Sequence, residues 1–224
     1  MRQHNRKKFN KVDFGSNIPD ALPGFEKIRR YWDTRDSIYA AKILPGEFYV
    51  SAHGELITTT LGSCIAACIR DPLTGIGGMN HFMLPSSERE GLEKWKNTPV
   101  SASARYGNVA MERLINIIIA NGGKRKNLEI KIFGGGNILK TKTDIGIQNI
   151  NFVRKYIIEE GFTTEAEDLG GVYPRKVMYF PSSGRVKVKK LYKLHNETIF
   201  IREKDYKNKL NQEEVIGDVE FFDQ

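Results

Sequence analysis

Cysteine is scarce in this chain: Cys64 and Cys68 are the only two among 224 residues. Four residues apart on one extended segment, they cannot form a disulfide with each other, and so few thiols exclude a disulfide-stapled scaffold. Long apolar runs are lacking too; none approaches the roughly 18 residues of a membrane-crossing helix, and no secretory signal opens the chain. The expectation is a soluble protein of a reducing cytoplasm, where a thiol stays reduced. Histidine is sparse, with four in all, and a Cys-x3-Cys with one histidine does not make a set of three or four zinc ligands, so no metal is expected. Gly134-Gly135-Gly136-Asn137 lacks the lysine and hydroxyl residue of a phosphate loop and the spacing of a dinucleotide fingerprint. It reads as a close backbone approach, and no cofactor is expected. Internal repeats and low-complexity tracts are absent as well.

What is present suits one core with tails: 40% of residues are hydrophobic. Residues 1–46 read as a basic N-terminal arm and connector, mobile to about residue 20, with a short helix around Phe25 to Asp33. Residues 47–200 form the domain, and 201–224 a C-terminal extension. The net charge of +8 fits nucleic acid, a membrane surface or an acidic protein partner. The cations are spread over the arm, Lys124-Arg125-Lys126 and Lys187-Val188-Lys189-Lys190 without a nucleic-acid motif. Neither nucleic-acid binding nor membrane insertion is expected.

The middle of the chain alternates strands and helices. Val109, Leu114, Ile115, Ile118 and Ile119 recur at helical spacing over residues 101–121, and Asn121-Gly122-Gly123 stops that helix. A second amphipathic helix spans 147–161. Strands are expected near 48–50 and over 128–133, 163–167, 176–180 and 186–191. The fold class that follows is α+β: a layered sandwich with mixed, largely antiparallel sheets and two main helices.

Chemistry concentrates in one hairpin. An apolar run begins at Cys64, Asp71-Pro72 and Thr74-Gly75 mark a turn, and a second apolar run ends at Pro85. Proline cannot take the positive φ of a primed two-residue turn, so a longer loop over Pro72 to Gly75 fits better, pairing Asp71 with Ile76. Cys64 then faces Met83, with His81 diagonal on the same face; a tighter loop would set the two directly opposite. Either way the side chains lie about 5 to 8 Å apart, whereas a one-residue slip would put them on opposite faces. A thiol and an imidazole so placed make an activated nucleophile. Cys68 reads as a small core residue, and His4, His53 and His195 as satisfied surface or core residues.

These residues carry a resemblance. Leu61-Gly62-Ser63-Cys64, the Asp71-Pro72 turn and Gly77-Gly78-Met79-Asn80-His81-Phe82-Met83-Leu84-Pro85 resemble the signature of the CheD family of chemoreceptor glutamine deamidases. Arg105-Tyr106-Gly107, Phe133-Gly134-Gly135-Gly136-Asn137, Ile145-Gly146 with Asn149, and Glu167-Asp168-Leu169-Gly170-Gly171 follow in the family's order. The similarity spans about residues 47 to 192. It implies a fold related to the cytotoxic necrotizing factor deamidase domain, with Cys64 as nucleophile, His81 as its histidine and Thr58, six residues before the cysteine, as the third catalytic position. Thr59 and Thr60 stand beside Thr58 as alternatives.

The implied reaction converts glutamine side chains of methyl-accepting chemotaxis receptors to glutamate through a cysteine thioester, in support of chemotaxis adaptation. N–H groups around Gly62, Ser63 and Cys64 are candidates for binding the oxyanion, and Ser63 and Asn80 for contacting the substrate amide. The basic runs become candidates for docking on the receptor's cytoplasmic rod. A non-catalytic adaptor that binds receptors or a CheC-type phosphatase is the alternative, and a thiol hydrolase acting on another amide or ester would use the same site.

Overall fold

A computed structural model describes residues 18–84, 102–138, 145–192 and 197–212. The expected hairpin forms its centre. Strands β5 (Ile65–Arg70) and β6 (Gly77–Asn80) pair antiparallel with Cys68 opposite Met79 and Arg70 opposite Gly77. The Asp71 N–H donates to Ile76 O at 2.9 Å, and Gly75 closes the loop at φ +74°. This is the register the turn residues dictate.

Sheet B grows outward from that hairpin. β3 (Phe48–Ser51) joins β6 and β7 (Glu129–Gly134) joins β5, both antiparallel; β8 (Thr164–Leu169) runs parallel to β7. Parallel neighbours need a crossover, and helix α2 (Ile145–Glu159) lies between them in sequence. Sheet A has the order β1 (Arg29–Asp33), β2 (Ile38–Lys42), β4 (Leu56–Leu61), β9 (Arg175–Phe180), β10 (Arg185–Lys190), and only its β2–β4 pair is parallel. Both sheets are therefore mixed and largely antiparallel, and the architecture is an α+β sandwich. Ile57, Leu61, Val177 and Tyr179 of sheet A share one apolar core with Ala67, Ile69, Ile130 and Ile132 of sheet B and with α2. β5 is buried at five of its six positions, which explains a run, Ile-Ala-Ala-Cys-Ile, without polar alternation.

Helix α1 (Ala102–Ala120) buries Met111, Leu114, Ile115 and Ile118, while Val109 and Ile119, read from spacing as core positions, are 41% and 37% exposed. It ends where Gly122, at φ +104°, and Gly123 cap the carbonyls of Ile119 and Ile118.

One expectation is corrected. Residues 29–33 form an edge strand rather than part of a helix, because Tyr31 and Trp32 pair against Ala40 and Tyr39 across β2. A third helix, α3, spans Glu197–Gln212. The arm up to residue 17, with His4, and residues 193–196, with His195, lie outside the described residues.

β7 ends on a backbone that only glycine fits. Gly134 has φ +118°, and a Cβ there would sit 2.0 Å from the Cys64 carbonyl oxygen. Beyond it, Gly135 N donates to Cys64 O at 2.8 Å and Gly136 N to Gly62 O at 2.7 Å. A Gly134→Ala substitution is expected to lose about 3 kcal/mol or more of stability in urea unfolding; a wild-type midpoint would show that this approach constrains nothing.

Candidate active site

Cys64 lies one residue before β5, where the reciprocal hydrogen bonds of Ile65 with Phe82 (2.8 and 2.9 Å) continue the hairpin pairing. Cys64 and His81 are thus diagonal neighbours on one face. The Cys64 Sγ, an imidazole nitrogen of His81 and a carboxylate oxygen of Glu203 all lie within 4.8 Å of one another. All three residues are buried.

The tautomer of His81 follows from its neighbours. Thr59 Oγ1 is 2.7 Å from His81 Nδ1 and 2.8 Å from the Ile43 carbonyl oxygen. A carbonyl can only accept, so the single hydroxyl proton goes to Ile43 and Nδ1–H donates to Thr59. Nε2 therefore carries the lone pair, and it has no hydrogen-bond partner among the described residues. Burial holds the imidazole neutral, its pKa lowered from 6.5 to about 3.

The threonine beside the imidazole is thus Thr59. Alternation along β4 turns Thr58 away from the imidazole, and its hydroxyl donates to Val177 O across the β4–β9 ladder at 2.9 Å. Asn80 likewise points away from the imidazole. As the neighbour of His81 it faces α1: its Oδ1 accepts from Ala67 N of β5 at 2.8 Å and its Nδ2 donates to Ala110 O of α1 at 3.0 Å.

The expected oxyanion donors do converge, and on a carboxylate. Glu203, from α3, accepts from Gly62 N (2.7 Å), Ser63 N (2.7 Å), Ser63 Oγ (2.7 Å) and Cys64 N (3.3 Å). The Cys64 thiol is pushed well above its ordinary pKa by burial, and then by the charge and hydrogen bond of Glu203. Cysteine, histidine and glutamate are zinc-ligand types, but the Glu203 oxygens are already engaged by four donors.

Asn149 is a second residue that spacing did not single out. From the apolar face of α2 its Nδ2 donates to Ser63 O at 2.8 Å, while its Oδ1 accepts from Leu84 N at 2.9 Å. One buried amide so ties the cysteine turn to the chain just after His81. An asparagine in the stripe of Ile150, Val153 and Ile157 was the available signal. For Glu203 it was an acid among Ile199, Tyr206 and Leu210 at helical spacing.

The other expected features lie elsewhere. Cys68 is buried in the core and His53 is exposed. The 124–126 cluster sits at the turn end of the hairpin: Lys124 N donates to Asp71 Oδ2, and Arg125 pairs with Glu160 at 2.7 Å over the Phe162 ring. A six-residue strand, about 20 Å, separates that end from the thiol.

Across 208 residues, 93% of this chain and 96% of the relative, the sequence is 51% identical to a probable chemoreceptor glutamine deamidase CheD of Halorhodospira halophila. The chain belongs to the CheD family. A relative of the same name from Methylobacillus flagellatus is 53% identical over 194 residues, 86% of this chain and 94% of its own. Another from Hahella chejuensis is 48% identical over 204 residues, 91% and 95% respectively. The family model for CheD chemotactic sensory transduction matches residues 83–190. Among the described residues of this CheD-family chain, no helix is long and apolar enough to cross a membrane.

The buried neutral imidazole has a consequence for stability. Since the folded pKa of His81 lies below its unfolded value, the unfolded state takes up the proton first, and stability present above pH 6.5 is lost as pH falls toward about 3. Between pH 7.5 and 5 the wild type is expected to lose about 2 kcal/mol more than His81→Gln, measured by urea unfolding. Parallel pH profiles would contradict a neutral buried imidazole.

Proposed function

We propose that this chain is a protein-glutamine deamidase that converts glutamine side chains of chemoreceptors to glutamate and ammonia, the activity for which its curated relatives are named. The observation that carries this reading is the convergence of the Gly62, Ser63 and Cys64 N–H groups on one acceptor beside a thiol and an imidazole with a free Nε2.

A carboxamide is a poor electrophile with a poor leaving group, so a covalent route that divides the hydrolysis lowers each barrier. The glutamine carbonyl oxygen enters the N–H cluster, which stabilises the negative charge that develops on it. The Cys64 Sγ attacks the amide carbon while His81 Nε2 takes the thiol proton. The C–N bond then breaks as His81 returns that proton to the departing ammonia, leaving a thioester. A water that gives a proton to Nε2 adds to the thioester; the C–S bond breaks, glutamate forms and the thiol recovers its proton. Thr59 keeps Nδ1 protonated so that Nε2 is the nitrogen that works. Being uncharged, it stabilises an imidazolium less than a carboxylate does, which suits a slow modifying enzyme. Asn149 holds the cysteine turn and the histidine segment together as a positioning residue. No step needs a cofactor.

Action on receptor glutamines favours a location at chemoreceptor arrays, and a CheC-type phosphatase is a second partner that the family resemblance supports.

Mass spectrometry of a chemoreceptor cytoplasmic fragment tests this reading by mapping glutamine-to-glutamate conversion by peptide. The wild type is expected to convert specific sites and Cys64→Ala none; conversion by Cys64→Ala would remove the thiol from the mechanism. In the same assay Thr59→Val is expected to slow conversion by about 10- to 100-fold and Thr58→Val by less than about threefold. Equal losses in the two would sink the role given to Thr59.

A further inference from the structure

The candidate nucleophile is fully buried, and what covers it is part of the same chain. Cys64 is 0% exposed, His81 1% and Glu203 1%. α3 lays Ile199, Glu203, Tyr206 and Leu210 inward, and Ile199, Arg202 and Glu203 wall a cleft with His81 and Thr59. Room is made for it at glycines. A Cβ on Gly46 would meet the Tyr206 ring at 2.9 Å, and one on Gly62 would meet the Glu203 carboxylate at 2.7 Å.

We propose that α3 is an intramolecular inhibitor that seats the Glu203 side chain in the substrate site as a stand-in for the glutamate product, and that it must undock before a receptor glutamine enters. The inhibitor's identity as a product mimic rests on the deamidase reading; the occlusion of Cys64 does not.

Three observations converge on this arrangement. Glu203 ends in the same carboxylate as the side chain the reaction produces. Its oxygens receive the three backbone N–H groups that stabilise the oxyanion, together with the Ser63 hydroxyl, so substrate and Glu203 exclude each other. Its negative charge also sits against the thiol and opposes formation of the thiolate, so the docked state is closed both sterically and electrostatically. The rest of α3 is lightly held. Among its residues of described burial, Glu203 and Leu210 alone are buried, and Phe200 and Ile201 are 37% and 54% exposed. A helix fixed by one carboxylate, the hydrogen bond between the Tyr206 and Tyr106 hydroxyls and a short apolar stripe can leave without dismantling the core.

The test uses full-length wild type, Glu203→Ala and Glu203→Met, with far-UV circular dichroism as the check on folding. Glu203→Met keeps the length of the side chain, leaves the four donors without an acceptor oxygen and, unlike a glutamine, offers the thiol no amide to attack. Alkylation of Cys64 by iodoacetamide is followed by peptide mass, with buried Cys68 as internal reference. Deamidation of a chemoreceptor fragment is followed in parallel. Both variants are expected to alkylate at Cys64 at least about tenfold faster than wild type, the factor that goes with losing a charge-assisted hydrogen bond, with Cys68 unchanged and receptor conversion raised. Unchanged Cys64 alkylation in two folded variants would overturn the proposal. So would faster alkylation with receptor conversion below wild type, because Glu203 would then serve the reaction. Faster alkylation with no conversion by any protein would support the occlusion while removing the deamidase reading.

Discussion

Three peptide units, 62 to 64, carry the chain from sheet A to sheet B, since β4 ends at Leu61 and β5 begins at Ile65. In so short a buried crossing every polar backbone group must be satisfied. The carbonyls are taken on one side: Gly62 O by Gly136 N, Ser63 O by Asn149 Nδ2 and Cys64 O by Gly135 N. The N–H groups are left facing the other way, together, as a concave set of donors that favours an anion. The glycines after β7, the asparagine on α2 and the carboxylate on α3 are all arranged around this one segment. Its donors are preorganised by the fold, so they need no rearrangement when charge develops on a bound amide.

The rest of the site is uncharged. A neutral imidazole, a neutral thiol and a threonine hydroxyl share a space between two packed sheets, and the low polarity there keeps them neutral. In the proposed reaction, proton transfer from Cys64 to His81 creates two charges at once in that space. The backbone donors then matter doubly, because they are the nearby dipoles already aimed at negative charge.

Much of this was legible in the sequence. The hairpin register followed from Asp71, Pro72 and Gly75 because proline and a positive-φ glycine leave few ways to close that loop, and the register alone brings Cys64 and His81 to one face. The glycine string after β7 was legible as close approach, though its partner, the cysteine turn, was not. The choice between Thr58 and Thr59 depended on which face of β4 looks toward sheet B, and three successive threonines carry no alternation that could show it. The orientation of Asn80 was hidden for a related reason: a residue beside a site in sequence points to the opposite face of its strand. Trp32 and Tyr31 belong to an edge strand fixed by pairing with β2, a non-local contact that local spacing cannot show. Glu203 was the least legible. It lies more than a hundred residues from the thiol in sequence, on a helix that is mostly polar, and only the tertiary docking of that helix gives its charge a meaning.

The residue that fills the N–H cluster ends in a carboxylate, which such a catalyst cannot consume. A glutamine held there would itself be a substrate, attacked by the thiol it covers and turned over within the molecule. An aspartate would be one methylene too short to reach all four donors from the same helix. Glutamate is the resting end point of the chemistry, so a plug built from it is permanent: the enzyme cannot cut, modify or exhaust its own cover, and only movement of the helix can open the site.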